Sequence, residues 1–448
     1  MTVADKVIVT EKNNKEEWQR TWSTRMAVLG PGIVYALTIM GTGDIVSNAA
    51  AGAGYGYAMI WALGLTLIFR YVWVNTSAKY VLVTGETLIK GYARLGNWTL
   101  WVILIAGLVF RHFYNMYLIV MMGTSLDLLI HLPTQWSSAI WAVTFTIVGY
   151  FMMVYGGYQF VDKLFKIFIG AKGASLVVAA ALSHPDPVGI ARGTFIPSIP
   201  GQEGLYSALL VLMALVGTEA GSMTNLTYPY FMYEKGWRDR SHIKQQRFDL
   251  IFGVLSIFVM GALLQIAAAG TVRPLGIKLE GPEHLVQIFS QTLGTLGLVI
   301  FALGIWCASF GTYVGASMGY AMIITDLCRS YIPRFKKPLD ERDKKKAVKY
   351  DPIYRACIIF WAFSPLYILF TGVRPVWLVL TVSSLVVVLI PVLALALMKL
   401  TNDKKLMGEY RNGWTTNIIL SLLVLTAVYF TWTSAVDLWD KLVSFFFS

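Results

Sequence analysis

The sequence predicts an all-α membrane protein of about eleven transmembrane helices, and three observations carry that expectation. Of 448 residues, 56% are hydrophobic and only 14% are charged, with a mean hydropathy of +0.60; a soluble domain carries about 25% charged residues. The apolar residues fall in runs near the length, about 20 residues, that a helix needs to cross the hydrocarbon layer. The basic residues fall between those runs, concentrated on alternate connections. Lipid is therefore the solvent for most of the molecular surface.

The runs lie at about 27–51, 56–82, 99–130, 136–157, 164–184, 206–232, 249–270, 290–327, 354–371, 375–398 and 416–438. The first and sixth carry glycine clusters at mid-length. The second and third hold Arg70 and Arg111, possible partners for acids in other spans, although both read as off-centre or near an interface. The third ends at Asp127 and His131, which read as interfacial. Lys166 and Lys172 interrupt the start of the fifth, and the tenth holds Ser383 and Ser384. Ahead of the first run, residues 1–25 form a polar segment with Lys6, Lys12, Lys15, Arg20 and Arg25. It lacks the apolar core of a cleaved signal peptide. Residues 26–448 read as one transmembrane domain, its longest connection the basic loop 328–352.

Lys and Arg in the connections set the orientation. Lys90 and Arg94, Lys163 and Lys166, the stretch from Lys235 to Arg247, the loop 328–352, and Lys404, Lys405 and Arg411 all fall on one side. The other side holds only Arg192, Arg273, Lys278 and Arg374. A multi-pass protein of the plasma membrane is expected, with the N-terminus and residues 1–25 cytoplasmic and the C-terminus extracellular. The formal net charge of +12 then reflects topology and contact with anionic lipid. A nucleic-acid face is excluded because the excess is divided among loops.

Cys307, Cys328 and Cys357 are far apart in or beside apolar runs and read as small buried hydrophobes. No Walker loop, H-E-x-x-H, G-x-S-x-G or EF-hand pattern occurs. Neither enzymatic activity nor a resident cofactor nor an obligate protein partner is expected.

The functional signal is the pair of breaks. The first span contains Gly41-Thr42-Gly43-Asp44, followed by Ser47 and Asn48; the sixth contains Gly217-Thr218-Glu219-Ala220-Gly221-Ser222, followed by Asn225. A lipid-bathed helix must satisfy its own backbone, so glycine clusters at mid-span point to unwinding around a cavity. Spans one and six are equivalent in a chain of two five-helix halves, and matched interruptions mark the binding site of an inverted-repeat transporter. Each break carries a carboxylate, and an acid at the bilayer centre costs about 2.5–3.5 kcal/mol on insertion scales. With no basic residue in either span at that depth, Asp44 and Glu219 are expected to face water and a cation. Carbonyls freed near Gly41 and Gly217 and the hydroxyls of Thr218 and Ser222 would join them. Such hard oxygen donors suit Mg²⁺, Ca²⁺ or Mn²⁺.

The stretch Ala50-Ala51-Gly52-Ala53-Gly54-Tyr55-Gly56-Tyr57 with Trp61 resembles the junction of the first two helices in Nramp-type divalent-metal transporters. Val83-Thr84-Gly85-Glu86-Thr87-Leu88, Gly193-Thr194-Phe195-Ile196-Pro197 and Pro200-Gly201 are similar to further segments of that family. The resemblance covers roughly the first 230 residues. It implies a LeuT-type 5+5 inverted repeat with interrupted helices 1 and 6, alternating access and a divalent metal substrate.

Departures from the family pattern refine that expectation. The family's D-P-G-N aligns with Gly41-Thr42-Gly43-Asp44, so the acid is displaced but present. The metal-binding methionine of its sixth helix aligns with Ala220, Gly221 or Ser222, all without sulfur. The resemblance thus implies a site of Asp44, Glu219, Gly41, Gly217, Thr218 and Ala220, and places the chain in the Nramp-related magnesium transporter branch. That site would take Mg²⁺, and Mn²⁺ besides, with much of the ion's water. The family's acids on helix three align with Tyr117 and Val120, and its helix-six histidine is absent. An importer without proton coupling is expected; the alternative is a proton-coupled Mn²⁺/Fe²⁺ carrier.

Overall fold

The computed structural model describes residues 41–156, 173–174, 176–201, 205–221, 223–335 and 348–447. The segment 1–25, the first part of the first expected span, the start of the fifth and the middle of the basic loop lie outside them. Regular structure among the described residues is helical throughout. The helices that frame the site are α1 (Thr42–Tyr55), α2 (Ile60–Thr84), α3 (Asn97–Asp127), α4 (Ser137–Phe151), α5 (Pro187–Phe195), α6 (Ala208–Leu215), α7 (Tyr228–Lys235), α8 (Ile243–Gly270), α9 (Gln287–Tyr331), α10 (Pro352–Phe363), α11 (Pro375–Leu385), α12 (Leu389–Asn402) and α13 (Trp414–Phe447).

Eight helical stretches among the described residues are long and apolar enough to cross a membrane, at the expected third, fourth and sixth to eleventh spans. The second expected span is the 25-residue α2, about 37 Å long at 1.5 Å per residue. Its apolar character is diluted by Arg70 and Lys79, both buried within the bundle. The polar residues of α2 face protein, which is how a span carrying them remains compatible with lipid.

α1 lies at the centre. Every residue from Thr42 to Gly52 is buried, so this segment has no lipid-facing side. α8, α6 and α11 pack against it, α2 packs on α8, and α9 packs on α3, which in turn packs on α4. At the periphery α13 presents Leu422, Leu425 and Trp432 outward, as expected of a helix bathed in hydrocarbon.

The polar connections are tied locally. In the α2–α3 connection the Glu86 carboxylate receives Lys90 at 2.9 Å and Arg94 at 2.8 Å. Burial alone would raise the Glu86 carboxyl, but hydrogen bonds from Lys90 and Arg94 outweigh it and hold it below its ordinary range. At the described ends of the basic loop, Arg329 grips Asp351 through two bonds of 2.9 and 3.1 Å. Asp127 and His131 pair at 3.0 Å near the surface.

Candidate functional site

The break in the sixth span has a definite course. α6 gives way to a π turn at Val216–Ala220, then to Gly221, then to a 3₁₀ turn at Met223–Leu226 before α7. Gly221 has φ +67° and ψ 178°, a conformation that residues with a Cβ rarely adopt. Gly217 is required for a different reason: a Cβ there would lie 1.8 Å from the Ser383 carbonyl oxygen of α11. Backbone thus packs directly on backbone where the sixth span unwinds, and Ser222 lies outside the described residues.

α1 begins at Thr42, with Gly41 extended at φ −82° and ψ −166°. Asp44 sits in the first turn, where the helix dipole favours a negative charge by about 0.3–1 kcal/mol. The expectation of a freed Gly41 carbonyl is corrected here. That oxygen accepts from Ile45 N at 3.2 Å, closing the first helical turn. The Thr218 carbonyl in the π turn accepts from Arg70.

The two breaks meet at Asn48, which is fully buried. Its Nδ2 donates to the Asp44 carbonyl at 2.9 Å and to Glu219 Oε1 at 2.8 Å, while its Oδ1 accepts from Gln265 Nε2 of α8 at 2.8 Å. Beside it the hydroxyls of Ser47 and Thr218 lie 3.3 Å apart. Asp44 and Glu219 are 3% and 0% exposed. Asn48 thus ties the Asp44-bearing turn of α1 to the Glu219 carboxylate at a buried junction.

Arg70 overturns its sequence-based placement near an interface. It projects from near the middle of α2 to within 3.7 Å of Glu219 Oε2, and both side chains are buried at 1% and 0% exposure. Arg111 is also internal, donating to Asn115 Oδ1 and lying 5.8 and 5.7 Å from the rings of Tyr114 and Tyr320. Both arginines line a small cavity of about 30 Å³ with Gly41, Gly43, Tyr117 and Thr218. That volume holds about one water, too little for an ion with its full shell. The Arg70 guanidinium offsets the Glu219 carboxylate, so the junction is less anionic than the sequence suggests. A larger cavity of about 300 Å³ begins at Ala50 and Val211 and extends past Tyr55 and Tyr206 to Arg273 and Lys278.

The remaining residues divide by what they touch. The Ala220 carbonyl accepts from Asn225 Nδ2 at 2.8 Å, and Thr218 Oγ1 donates to the Ala214 carbonyl at 2.8 Å. A Cβ on Gly43 would lie 2.8 Å from Thr218 Cγ2, 3.3 Å from the Tyr117 hydroxyl and 3.7 Å from the Ser383 hydroxyl. Tyr117 and Ser383 thus border the first turn of α1. Ser384 turns away, donating to the Leu380 carbonyl at 2.8 Å. Met223 is fully buried with its methyl against Gly107 of α3, an apolar filler. No group of three or more His, Cys, Asp or Glu gathers among the described residues. Arg70, a possible partner of the acids in the sequence, is at the junction, whereas nothing in the sequence points to Gln265; a buried basic or amide group in mid-span is itself the signal that finds both.

A helical bundle whose sixth span is interrupted at its centre, with buried carboxylates there and in the first turn of α1, is the architecture of a LeuT-type membrane carrier. Within that class the chain belongs to the Nramp family: the family described as natural resistance-associated macrophage protein-like matches residues 32–436. It is 24% identical over 453 residues to the divalent metal cation transporter MntH of Mycobacterium leprae, covering 94% of this chain and 95% of that one. It is 26% identical over 314 residues to an uncharacterized protein of Pasteurella multocida, covering 67% and 70%. The fold matches the crystal structure of a manganese transporter of Eremococcus coleocola with a TM-score of 0.72 at 15% identity, covering 92% and 87%. A nucleobase-cation-symport-1 family transporter matches at 0.54 and 13%, covering 93% of each chain.

Proposed function

We propose that this protein imports a divalent metal ion, Mg²⁺ foremost and Mn²⁺ besides, by alternating access and without a coupled proton. The observation that carries the reading is the junction at Asn48, where one amide joins the acid-bearing turn of α1 to the Glu219 carboxylate. Asp44 and Glu219 are the main anionic groups of the site. The Thr218 carbonyl and hydroxyl supplement them, and Gly41, Gly217 and Ala220 supply the close-packed backbone around them. All of these donors are hard oxygens, and none is imidazole or thioether, a set that suits Mg²⁺ and Mn²⁺ over softer metals. The chamber widens as the carrier opens, admitting an ion that retains several waters. The N-terminus lies in the cytoplasm and the C-terminus outside the cell, as the basic connections require.

Membrane potential is a sufficient driving force. It supplies about 2.3 kcal/mol per charge per 100 mV, hence about 4.6 for a divalent ion, a gradient of more than about a thousandfold. Tyr117 and Val120 stand at the family's proton-relay positions, and neither ionises as a carboxylate does. The rival reading is a proton-coupled Mn²⁺/Fe²⁺ carrier, favoured by the names of the relatives, which are divalent metal cation and manganese transporters. Liposomes holding the purified protein and an internal pH dye separate the two. Mg²⁺ uptake without acidification is expected; acidification that accompanies uptake establishes the rival.

A further inference from the structure

We infer that Arg70 is a resident counter-cation of the ion site, occupying ligands that the metal must win, and that it sets the apparent affinity of the carrier. The inference rests on the divalent-metal reading and adds to it a specificity-determining residue outside the two breaks. A metal at the sixth-span break would need its two oxygen types, the Glu219 carboxylate and the Thr218 carbonyl of the π turn. The Arg70 guanidinium holds both, with Nη1 3.7 Å from Glu219 Oε2 and Nη2 donating to the Thr218 carbonyl.

The placement is built, not incidental. α2 runs unbroken through this depth, so the Arg70 backbone stays fixed while the sixth span unwinds towards it. A Cβ on Gly221 would fall 2.9 Å from Arg70 Nη2, so the glycine that permits the turn also makes room for the guanidinium. Arg70 is 1% exposed, and a cation at that depth is retained only beside a countercharge.

The grip is nevertheless incomplete. Among the described residues, Arg70 Nε and Nη1 make no hydrogen bond, so one hydrogen bond and one 3.7 Å ion pair hold the guanidinium, and it can withdraw. A divalent ion and the guanidinium compete for the same oxygens, and the fraction of carriers with Arg70 withdrawn scales the apparent dissociation constant. When the ion leaves, Arg70 returns and neutralises Glu219, so the empty carrier does not reorient with a bare buried carboxylate.

The test is Mg²⁺ and Mn²⁺ uptake by the full chain in liposomes, for wild type, Arg70→Gln, Arg70→Lys, Glu219→Gln and the double variant Arg70→Gln/Glu219→Gln. Arg70→Gln is expected to lower the half-saturating concentration at least about fivefold, within the usual range of coupling between two binding events. Arg70→Lys, which keeps the charge but not the planar fork, lowers it less. The double variant behaves as Glu219→Gln alone. A residue that serves only the fold would reduce the maximal rate and leave half-saturation unchanged. If Arg70→Gln fails to yield folded protein, Arg70→Lys decides. Half-saturation at or above the wild-type value in the folded variants overturns the inference while leaving the metal reading intact. Absence of uptake by the wild type overturns both.

Discussion

Replacing Asn48 by alanine removes the side chain that joins the first-span break to the Glu219 carboxylate, and the structure fixes what is lost. Three hydrogen bonds of 2.8–2.9 Å disappear, to the Asp44 carbonyl, to Glu219 Oε1 and from Gln265 Nε2. The bond to the carboxylate is worth about 1.5–3 kcal/mol, and each of the other two about 0.6 kcal/mol as an intramembrane pair. Asn48→Ala should therefore destabilise the protein by about 3–4 kcal/mol. Detergent-induced unfolding of Asn48→Ala, Glu219→Ala and the double variant isolates the pairwise part through a double-mutant cycle. A coupling of about 1.5–3 kcal/mol between positions 48 and 219 is expected. A coupling below about 0.5 kcal/mol, within the scatter of independent sites, would show that Asn48 does not hold Glu219 to the Asp44-bearing turn.

Asp44→Ala and Glu219→Ala should each depress Mg²⁺ uptake by reconstituted protein while membrane insertion persists; wild-type uptake by both refutes the site. Gly217→Ala drives a methyl group to 1.8 Å from the Ser383 carbonyl. It should cost at least the 1–3 kcal/mol or so of an overpacked core, read as a lower unfolding midpoint with reduced uptake. Glu86 predicts an acid-side pH dependence. Its carboxyl is held below the ordinary value of 4.5, so its contribution to stability is present above that pH and is lost as the pH falls through the lowered value. Unfolding midpoints measured between neutral and acid pH should decline less in Glu86→Gln than in wild type, and the difference should shrink in high salt.

Much of this architecture is legible in the sequence because the physics that sets it is local. Apolar runs of spanning length give the helices, and Gly217 and Gly221 disclose the sixth-span break because a close approach and a positive φ each demand glycine. Asp44 and Glu219 stand out because a carboxylate at mid-span needs a reason. What the sequence concealed was tertiary. Arg70 and Glu219 are separated by a long stretch of chain, and hydropathy cannot tell a basic residue that faces a partner from one near an interface. Gln265 is a lone amide in the apolar second half of α8, and its partner Asn48 is known only once α8 is seen packed on α1. The Gly41 carbonyl was expected to be free because the glycines mark a break. The helix in fact begins one residue later, and that carbonyl closes its first turn.

The account turns on where the ion sits. Crystals grown with Mn²⁺, measured at the manganese absorption edge, should show an anomalous peak within coordinating reach of the Asp44 and Glu219 carboxylates, with Arg70 drawn back from the Thr218 carbonyl. A peak elsewhere along the central helices, with the Arg70–Glu219 pair still closed, would contradict it.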